Sequence, residues 1–344
     1  MSGEARLTVL VTDHPWASLE PERLVFDSLG AELLLAGSGE EAELRELVVG
    51  ADAILTCFAR VSEAVVRAGE RLRTIGRYGT GVDNIAVAAA SERGVIVSNV
   101  PSYCEQEVAE HTLALMLALA RRVVSFDRAV HAGDWSLGSG GPIQRLHGRT
   151  LGIVGLGQIG ALLARQAGAL GLRVLAHHPR RDAAEIEAAG AEPASLPELA
   201  AQSDFVSLHL PLTDQTRHLI DADFLRAMKP TAFLLNTARG GVVDQDALVQ
   251  ALREGWIAGA GVDVLTPERL PAEHPLLALP NAILTPHVAY YSEESLLELG
   301  RLAAVNVAAV LAGRRPASVV NPDVLDGERW RGLAGSTPQA GENA

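Results

Sequence analysis

Three polar residues stand directly after apolar, strand-like runs in the second half of the chain. Arg239 follows "AFLLNTA" (232–238), Glu268 comes shortly after "GAGVDVL" (259–265), and His287 closes "AILTPH" (282–287). In open parallel α/β sheets, ligands sit beyond the carboxyl ends of the strands. Consecutive strand ends would therefore bring these three side chains into one crevice despite their distance in sequence. The trio suits a small acid with an oxygen on the neighbouring carbon. Arg239 would clamp the carboxylate, His287 would exchange a proton with that oxygen, and Glu268 would hold the imidazole protonated by charge pairing. Each has a plainer explanation taken singly: a braced turn for Arg239, a solvated charge for Glu268, a structural hydrogen bond for His287. Their weight lies in occurring together at the fourth, fifth and sixth strand ends of one series.

A second constellation precedes them. "GLGQIG" places Gly155, Gly157 and Gly160 in G-x-G-x-x-G spacing, after the apolar run "TLGIV" and at the start of the amphipathic "QIGALLARQAGAL". That context turns a weak motif into a dinucleotide-binding expectation. Gly155 would permit the tight turn, Gly157 would let the backbone approach a pyrophosphate, and Gly160 would let the helix pack on its strand. The pyrophosphate would rest on the positive end of the helix. The next strand runs into "HHPRR" (177–181), where NAD-binding folds present an acid to the adenosine ribose. His178 stands there instead, followed by Arg180 and Arg181. Guanidinium groups at that place favour the 2′-phosphate of NADP over NAD. The alternative is that both arginines are solvated and NAD binds without the acid.

The elements needed to position these residues are legible as alternating short apolar runs and helix-length amphipathic segments, the pattern of parallel sheets with crossover helices. Strands are expected near 7–13, 31–37, 51–58, 72–79 and 95–99. A second series is expected near 150–157, 173–178, 205–210, 232–238, 259–265 and 282–287. Six strands match a full dinucleotide-binding fold. Between the series, 105–130 reads as one long apolar helix and 131–142 as a loop; 292–316 reads as another helix ending at Gly313 and Pro316. The composition from Arg331 to Ala344 is that of a disordered end.

Bulk properties narrow the function classes. A chain of 344 residues, 48% apolar, has material for two domains and sizeable cores. A formal charge of −13 argues against a nucleic-acid partner while leaving room for a local basic pocket. The two cysteines, Cys57 and Cys104, form neither a disulfide framework nor a metal spacing, so no metal is expected and a reducing, cytoplasmic setting is the default. The N-terminal apolar run is broken by Asp13 and reads as a strand rather than a signal peptide. "TLALMLALA" (112–120) is too short to span a bilayer.

At this point the sequence resembles the D-isomer-specific 2-hydroxyacid dehydrogenases, a family that includes phosphoglycerate dehydrogenase, glyoxylate/hydroxypyruvate reductase, formate dehydrogenase and the C-terminal binding proteins. The resemblance runs from about residue 50 to 320. It rests on "YGTGVDNIAVAAASERGVIVSNVP", "GRTLGIVGLGQIG", "FVSLHLPLTDQTRHLI", "MKPTAFLLNTARGGVVDQDAL", "GAGVDVLTPERLP" and "AILTPHVAYYSEES". It implies two doubly wound parallel-sheet α/β domains, a Rossmann dinucleotide-binding domain (101–293) inserted in a flavodoxin-like substrate domain (1–100 plus 294–330). No separate regulatory domain is expected after the closing helix. The family's catalytic Arg, Glu and acid/base His fall on Arg239, Glu268 and His287. Its cofactor contacts fall on Gly155, Gly157, Gln158, Ile159, Gly160, His178, Arg180, Arg181, His209, Pro211, Thr216 and Ala238, with Asp263 at the aspartate that holds the nicotinamide amide. Thr80 and Gly81 fall in the loop whose backbone amides meet the substrate carboxylate. Hydride would pass between the nicotinamide and C2 of the substrate. A homodimer through the nucleotide domain is implied, with the 109–122 helix as a partner surface.

Departures from the family pattern refine the expectation. Formate dehydrogenases have Gln where Glu268 stands, and an amide could not favour the imidazolium, so Glu268 argues for reduction of a 2-oxo acid. NAD-dependent members have "YDP" in place of "HHP", and NADP-preferring reductases have Arg nearby. The usual proline after the catalytic Glu is Arg269 here. "TPHVAYYSEES" is most similar to the C-terminal binding protein branch. Tyr290 therefore either lines the substrate pocket or packs on the next helix. That branch also supplies the alternative function, a nucleotide-sensing binding protein with little turnover. The carboxylate and carbonyl recognised by such a site are common to glyoxylate, hydroxypyruvate, 3-phosphohydroxypyruvate and bulkier 2-oxo acids.

Overall fold

Alternation along the strands explains the architecture. In the first series, Val9 and Val11 pack with Ala53 and Leu55 on one side, while Leu10, Ile54, Ile75 and Val97 pack on the other. Strands apolar on both faces need helices on both faces. The computed structural model, which describes residues 6–332, shows this arrangement in two units. One comprises the residues up to Tyr103 and those from Ser292; the other is Cys104–Tyr291. Of the expected disordered end, residues 333–344 lie outside the described residues.

The first unit holds β1 (Thr8–Val11), β2 (Glu32–Leu35), β3 (Ala53–Thr56), β4 (Thr74–Arg77) and β5 (Ile96–Ser98), all paired in parallel in the order β2-β1-β3-β4-β5. This is the flavodoxin-like order, whose direction reverses between β1 and β3. One face is covered by helices Glu20–Asp27 and Glu293–Leu311, which meet where Gly300 lies against the carboxyl of Glu22. The latter helix stops before Gly313, which takes a left-handed turn (φ +70°).

The second unit holds β6 (Thr150–Val154), β7 (Arg173–His177), β8 (Glu192–Pro193), β9 (Phe205–Leu208), β10 (Phe233–Asn236), β11 (Gly259–Val262) and β12 (Ala282–Leu284). The sheet is parallel, in the order β12-β11-β10-β9-β6-β7-β8. Counted within the unit, its first six strands follow the Rossmann order 3-2-1-4-5-6, with a seventh beyond, and the direction reverses between β6 and β9. The expectation of six strands misses β8. Arg239, Glu268 and His287 accordingly follow the fifth, sixth and seventh strands. Two residues containing a proline make no apolar run, and Pro193 is tolerated because β8 is an edge.

The expected single helix over 105–130 is two, Glu105–Ala120 and Val123–His131, broken where Arg122 adopts a left-handed conformation (φ +54°) with its guanidinium 5.3 Å from the Phe233 ring centre. The first of these buries Val108, Ala109, Thr112, Leu115, Met116 and Leu119 within its own unit. The 109–122 helix, expected as a partner surface, thus turns this side inward and leaves Glu110 and Ala114 exposed. The exposed apolar residues lie further on, at Val123, Val130, Trp135, Leu137 and Ile143.

Candidate active site

The switch point of the second sheet carries the glycine turn. Gly155 leaves β6 with φ +99°, and a Cβ there would lie 2.4 Å from the carbonyl oxygen of His209, just past β9. A Cβ on Gly160 would lie 2.4 Å from the carbonyl oxygen of Gly155, so its absence lets helix Gln158–Ala169 close onto the strand. Gly157 differs: apart from its chain neighbours, no described residue stands within 4 Å of the place a Cβ would take. The turn is thus packed at two glycines and open at the one that would face a pyrophosphate, and Gln158 and Ile159 open the helix there. The residues present fit a dinucleotide.

The rim is basic at the end of β7. The backbone N–H of Arg180 donates to His178 Nδ1 (3.2 Å). Burial, then Arg181 and Arg180, hold the His178 imidazole below its ordinary range, so the ring is neutral beside two cations. The nearest acids are spent locally: Asp182 accepts from Glu185 N (2.9 Å) and Glu185 accepts from Asp182 N (3.0 Å) as a capping box. Among the described residues neither Arg180 nor Arg181 has an ion-pair partner. Past β9, His209 Nε2 lies 2.8 Å from Ser207 Oγ, and burial pushes its imidazole down to about 4. Thr216 Oγ1 donates to the Pro211 carbonyl (2.6 Å), closing the 211–216 loop.

Three adjacent strand ends carry the polar trio. After β10, the Asn236 amide clasps its own loop, donating to the Arg239 carbonyl (3.0 Å) and accepting from Ala238 N (3.1 Å). Arg239 is half-buried and extended, and its Nη1 donates to the Ala238 carbonyl (2.8 Å). A Cβ on Gly240 would lie 2.5 Å from the Leu265 carbonyl oxygen, so the loop after β11 presses directly on the loop after β10. Gln245 fixes that second loop through both amide atoms, donating to Thr266 O (2.9 Å) and accepting from Thr266 N (3.1 Å). From it Glu268 reaches His287, with Oε1 at 3.1 Å from Nδ1, a half-exposed carboxylate against a largely covered imidazole. The Tyr290 ring stands edge-on to His287, with centroids 6.0 Å apart at 82°.

Asp263, at the end of β11, is fully buried. Its carboxylate accepts from Thr285 Oγ1 (2.5 Å), Val288 N (2.9 Å) and Ala289 N (2.9 Å). Its hydrogen bonds are spent on the turn that carries His287. Sequence reasoning missed His111, whose Nε2 lies 3.0 Å from Thr285 Oγ1. In the first unit, Thr80 Oγ1 donates to the Val100 carbonyl (3.2 Å) and Asn99 Nδ2 donates to the Thr80 carbonyl (2.7 Å). Among the described residues, the backbone N–H groups of Thr80 and Gly81 have no protein acceptor.

A Rossmann-order sheet with a glycine turn at its switch point and an Arg–Glu–His set on neighbouring strand ends defines a nicotinamide-dinucleotide oxidoreductase. Residues 113–289 match the NAD-binding domain of the D-isomer specific 2-hydroxyacid dehydrogenases. The chain is 44% identical over 286 residues to a glyoxylate reductase of Korarchaeum cryptofilum, covering 81% of this chain and 86% of that protein. Among solved structures it is similar to D-lactate dehydrogenase from Aquifex aeolicus complexed with NAD and lactic acid (TM-score 0.82, 27% identity, 96% of this chain and 100% of that one). It is also similar to an NADPH-dependent glyoxylate/hydroxypyruvate reductase from Sinorhizobium meliloti in complex with NADP and malonate (TM-score 0.78, 29% identity, 92% and 97%). The chain belongs to the D-isomer specific 2-hydroxyacid dehydrogenase family. It is an NAD(P)-dependent oxidoreductase acting on 2-hydroxy acids. The binding-protein alternative has no better support.

Proposed function

We propose that this protein works chiefly as an NADPH-dependent reductase of small 2-oxo acids, with glyoxylate and hydroxypyruvate the first to test. The observation that carries the reading is the Glu268–His287 contact at 3.1 Å, set beside the Arg239 loop on adjacent strand ends. Arg239 pairs with the substrate carboxylate, and its planar fork fixes the orientation of the C2 carbonyl. His287, as imidazolium, donates a proton to the oxygen on C2 as negative charge develops there. Glu268 favours that cation by charge pairing, which a neutral amide could not do. Within the first unit Thr80 and Gly81 offer backbone N–H groups for anion binding, and Tyr290, edge-on to His287, lines the side-chain pocket. Gly155, Gly157, Gln158, Ile159, Gly160, His209, Pro211, Thr216 and Ala238 hold the dinucleotide, which when bound supplies the hydride. Asp263 acts at the nicotinamide end through the turn it fixes.

NADPH is favoured over NADH because Arg180 and Arg181 have no carboxylate partner among the described residues and the strand end before them carries no acid to repel a 2′-phosphate. No helix among the described residues is long and apolar enough to cross a membrane. Two buried free thiols suit a reducing cytoplasm. The exposed apolar residues of the 123–143 segment supply a surface for a homodimer through the nucleotide unit.

The test is initial rates of glyoxylate and hydroxypyruvate reduction with NADPH and with NADH, in wild type and in Arg180→Ala/Arg181→Ala. The expected result is an NADPH preference of about tenfold or more that collapses in the double variant. Equal use of NADH by wild type would contradict the cofactor assignment.

A further inference from the structure

The segment that carries His287 is held far more tightly than a surface turn requires. His287 has φ +55°, a conformation that L side chains rarely adopt and that persists only where the surroundings impose it. Asp263 imposes most of it. Its backbone carbonyl accepts from His287 N (2.8 Å), and its carboxylate accepts from Thr285 Oγ1, Val288 N and Ala289 N. Thr285 N in turn donates to the Val262 carbonyl (3.0 Å). A carboxylate and three donors would close the arrangement, yet a further group reaches it from another element.

His111 lies on helix Glu105–Ala120, and its Nε2 is 3.0 Å from Thr285 Oγ1 and 3.6 Å from Asp263 Oδ1. The chemistry of the hydroxyl fixes the direction of this contact. Threonine has one O–H, and here it donates to a carboxylate that can only accept. The Thr285 oxygen can therefore only accept from His111, so the Nε2 proton is on the imidazole. The line of donation runs from His111 to Thr285 to Asp263, and the turn bearing His287 hangs on its end.

We infer that His111 is a positioning residue for His287, holding the Thr285 hydroxyl from the helix side so that Thr285 and Asp263 keep the imidazole aligned on Glu268. This rests on His287 being the acid/base of the reaction. It assigns His111 no contact with substrate.

The experiment compares wild type, His287→Ala, His111→Leu, His111→Gln, Thr285→Val and the His111→Leu/Thr285→Val double variant. Each is assayed for reduction of whichever of glyoxylate or hydroxypyruvate the wild type turns over faster, with saturating NADPH, across the neutral pH range. Thermal midpoints are taken on the same samples. His111→Leu and Thr285→Val should each lower kcat on the order of tenfold to a hundredfold through misplacement of His287. The KM for the acid should change by less than about threefold, and the pH profile of kcat should shift. Glutamine can donate to Thr285 through its amide, so His111→Gln should recover to within about threefold of wild type. The double variant should be no worse than the worse single one, because both changes cut the same link. A lower thermal midpoint in His111→Leu with kcat and pH profile unchanged would overturn the proposal, as would equal kcat losses in the Leu and Gln variants. Full turnover in His287→Ala would overturn the acid/base reading and this proposal together. Loss there with an unaffected His111→Leu would overturn this proposal alone.

Discussion

Glu268 and His287 meet at 3.1 Å through loops that follow different strands, and the pair has an uneven environment: the imidazole is largely covered while the carboxylate is half exposed. A covered cation is costly without its counter-charge, so Glu268 matters more to His287 than the reverse. Replacing Glu268 by Gln should lower kcat about tenfold to a thousandfold, since the imidazole loses the carboxylate beside it. Initial rates of the variant check this, and an unchanged kcat would show that Glu268 does not act on His287. At this scale the sequence was informative where chemistry follows from residue type at a strand end, as for Arg239, Glu268 and His287. It was silent on His111, because 174 residues separate that side chain from Thr285 and no periodicity marks the contact. Asp263 was named through the family resemblance alone, and the direction of its carboxylate, into the His287 turn, depends on where residues 285–289 pass.

The glycine turn makes the clearest statement at the level of elements, because its three glycines face different surroundings. Gly160→Ala would drive a Cβ to 2.4 Å from a backbone carbonyl oxygen and must push helix Gln158–Ala169 off β6. A destabilisation of about 1–3 kcal/mol is expected, seen as a lowered denaturant midpoint. Gly157→Ala meets no protein atom within 4 Å, so the fold should keep its stability while the KM for the dinucleotide rises. Equal losses of stability in the two variants would contradict this division of roles. The strand-turn-helix grammar was readable because its apolar periods and glycine spacing are local. The edge strand Glu192–Pro193 was not, since its strand conformation comes from pairing to β7. The break at Arg122 was equally hidden: no glycine or proline marks it, and the ring of Phe233, from a distant strand, supports the arginine there.

For the molecule as a whole, buried titratable groups on the two units set opposite slopes of stability with pH. His209 titrates near its ordinary 6.5 in the unfolded chain but at about 4 in the fold, so between these values the unfolded chain binds more protons. Its contribution is therefore complete above pH 6.5 and is lost as pH falls toward 4. Glu22, fully buried on helix Glu20–Asp27, is held above its ordinary 4.5 mainly by burial. The fold then binds the extra proton, and this contribution is present below 4.5 and lost as pH rises through the raised value. Thermal midpoints measured across pH should lose part of their acid-side slope in His209→Gln and part of their alkaline-side slope in Glu22→Gln. Unchanged slopes in both would show these groups to be energetically silent. His209 was named in sequence only as a cofactor contact and Glu22 not at all, because burial of a single polar residue depends on how the sheets and helices close around it. The two-sheet architecture itself was legible, because every strand that builds it except β8 is an apolar run of its own.

The proposed reaction depends most on His287 as the proton donor to a 2-oxo acid. The direct measurement is kcat/KM for glyoxylate and hydroxypyruvate reduction by wild type and His287→Ala, with NADPH binding followed by fluorescence in the same preparations. The variant should bind NADPH as wild type does while kcat/KM falls about a hundredfold to ten-thousandfold. A variant that binds the dinucleotide and turns over at the wild-type rate would contradict this role.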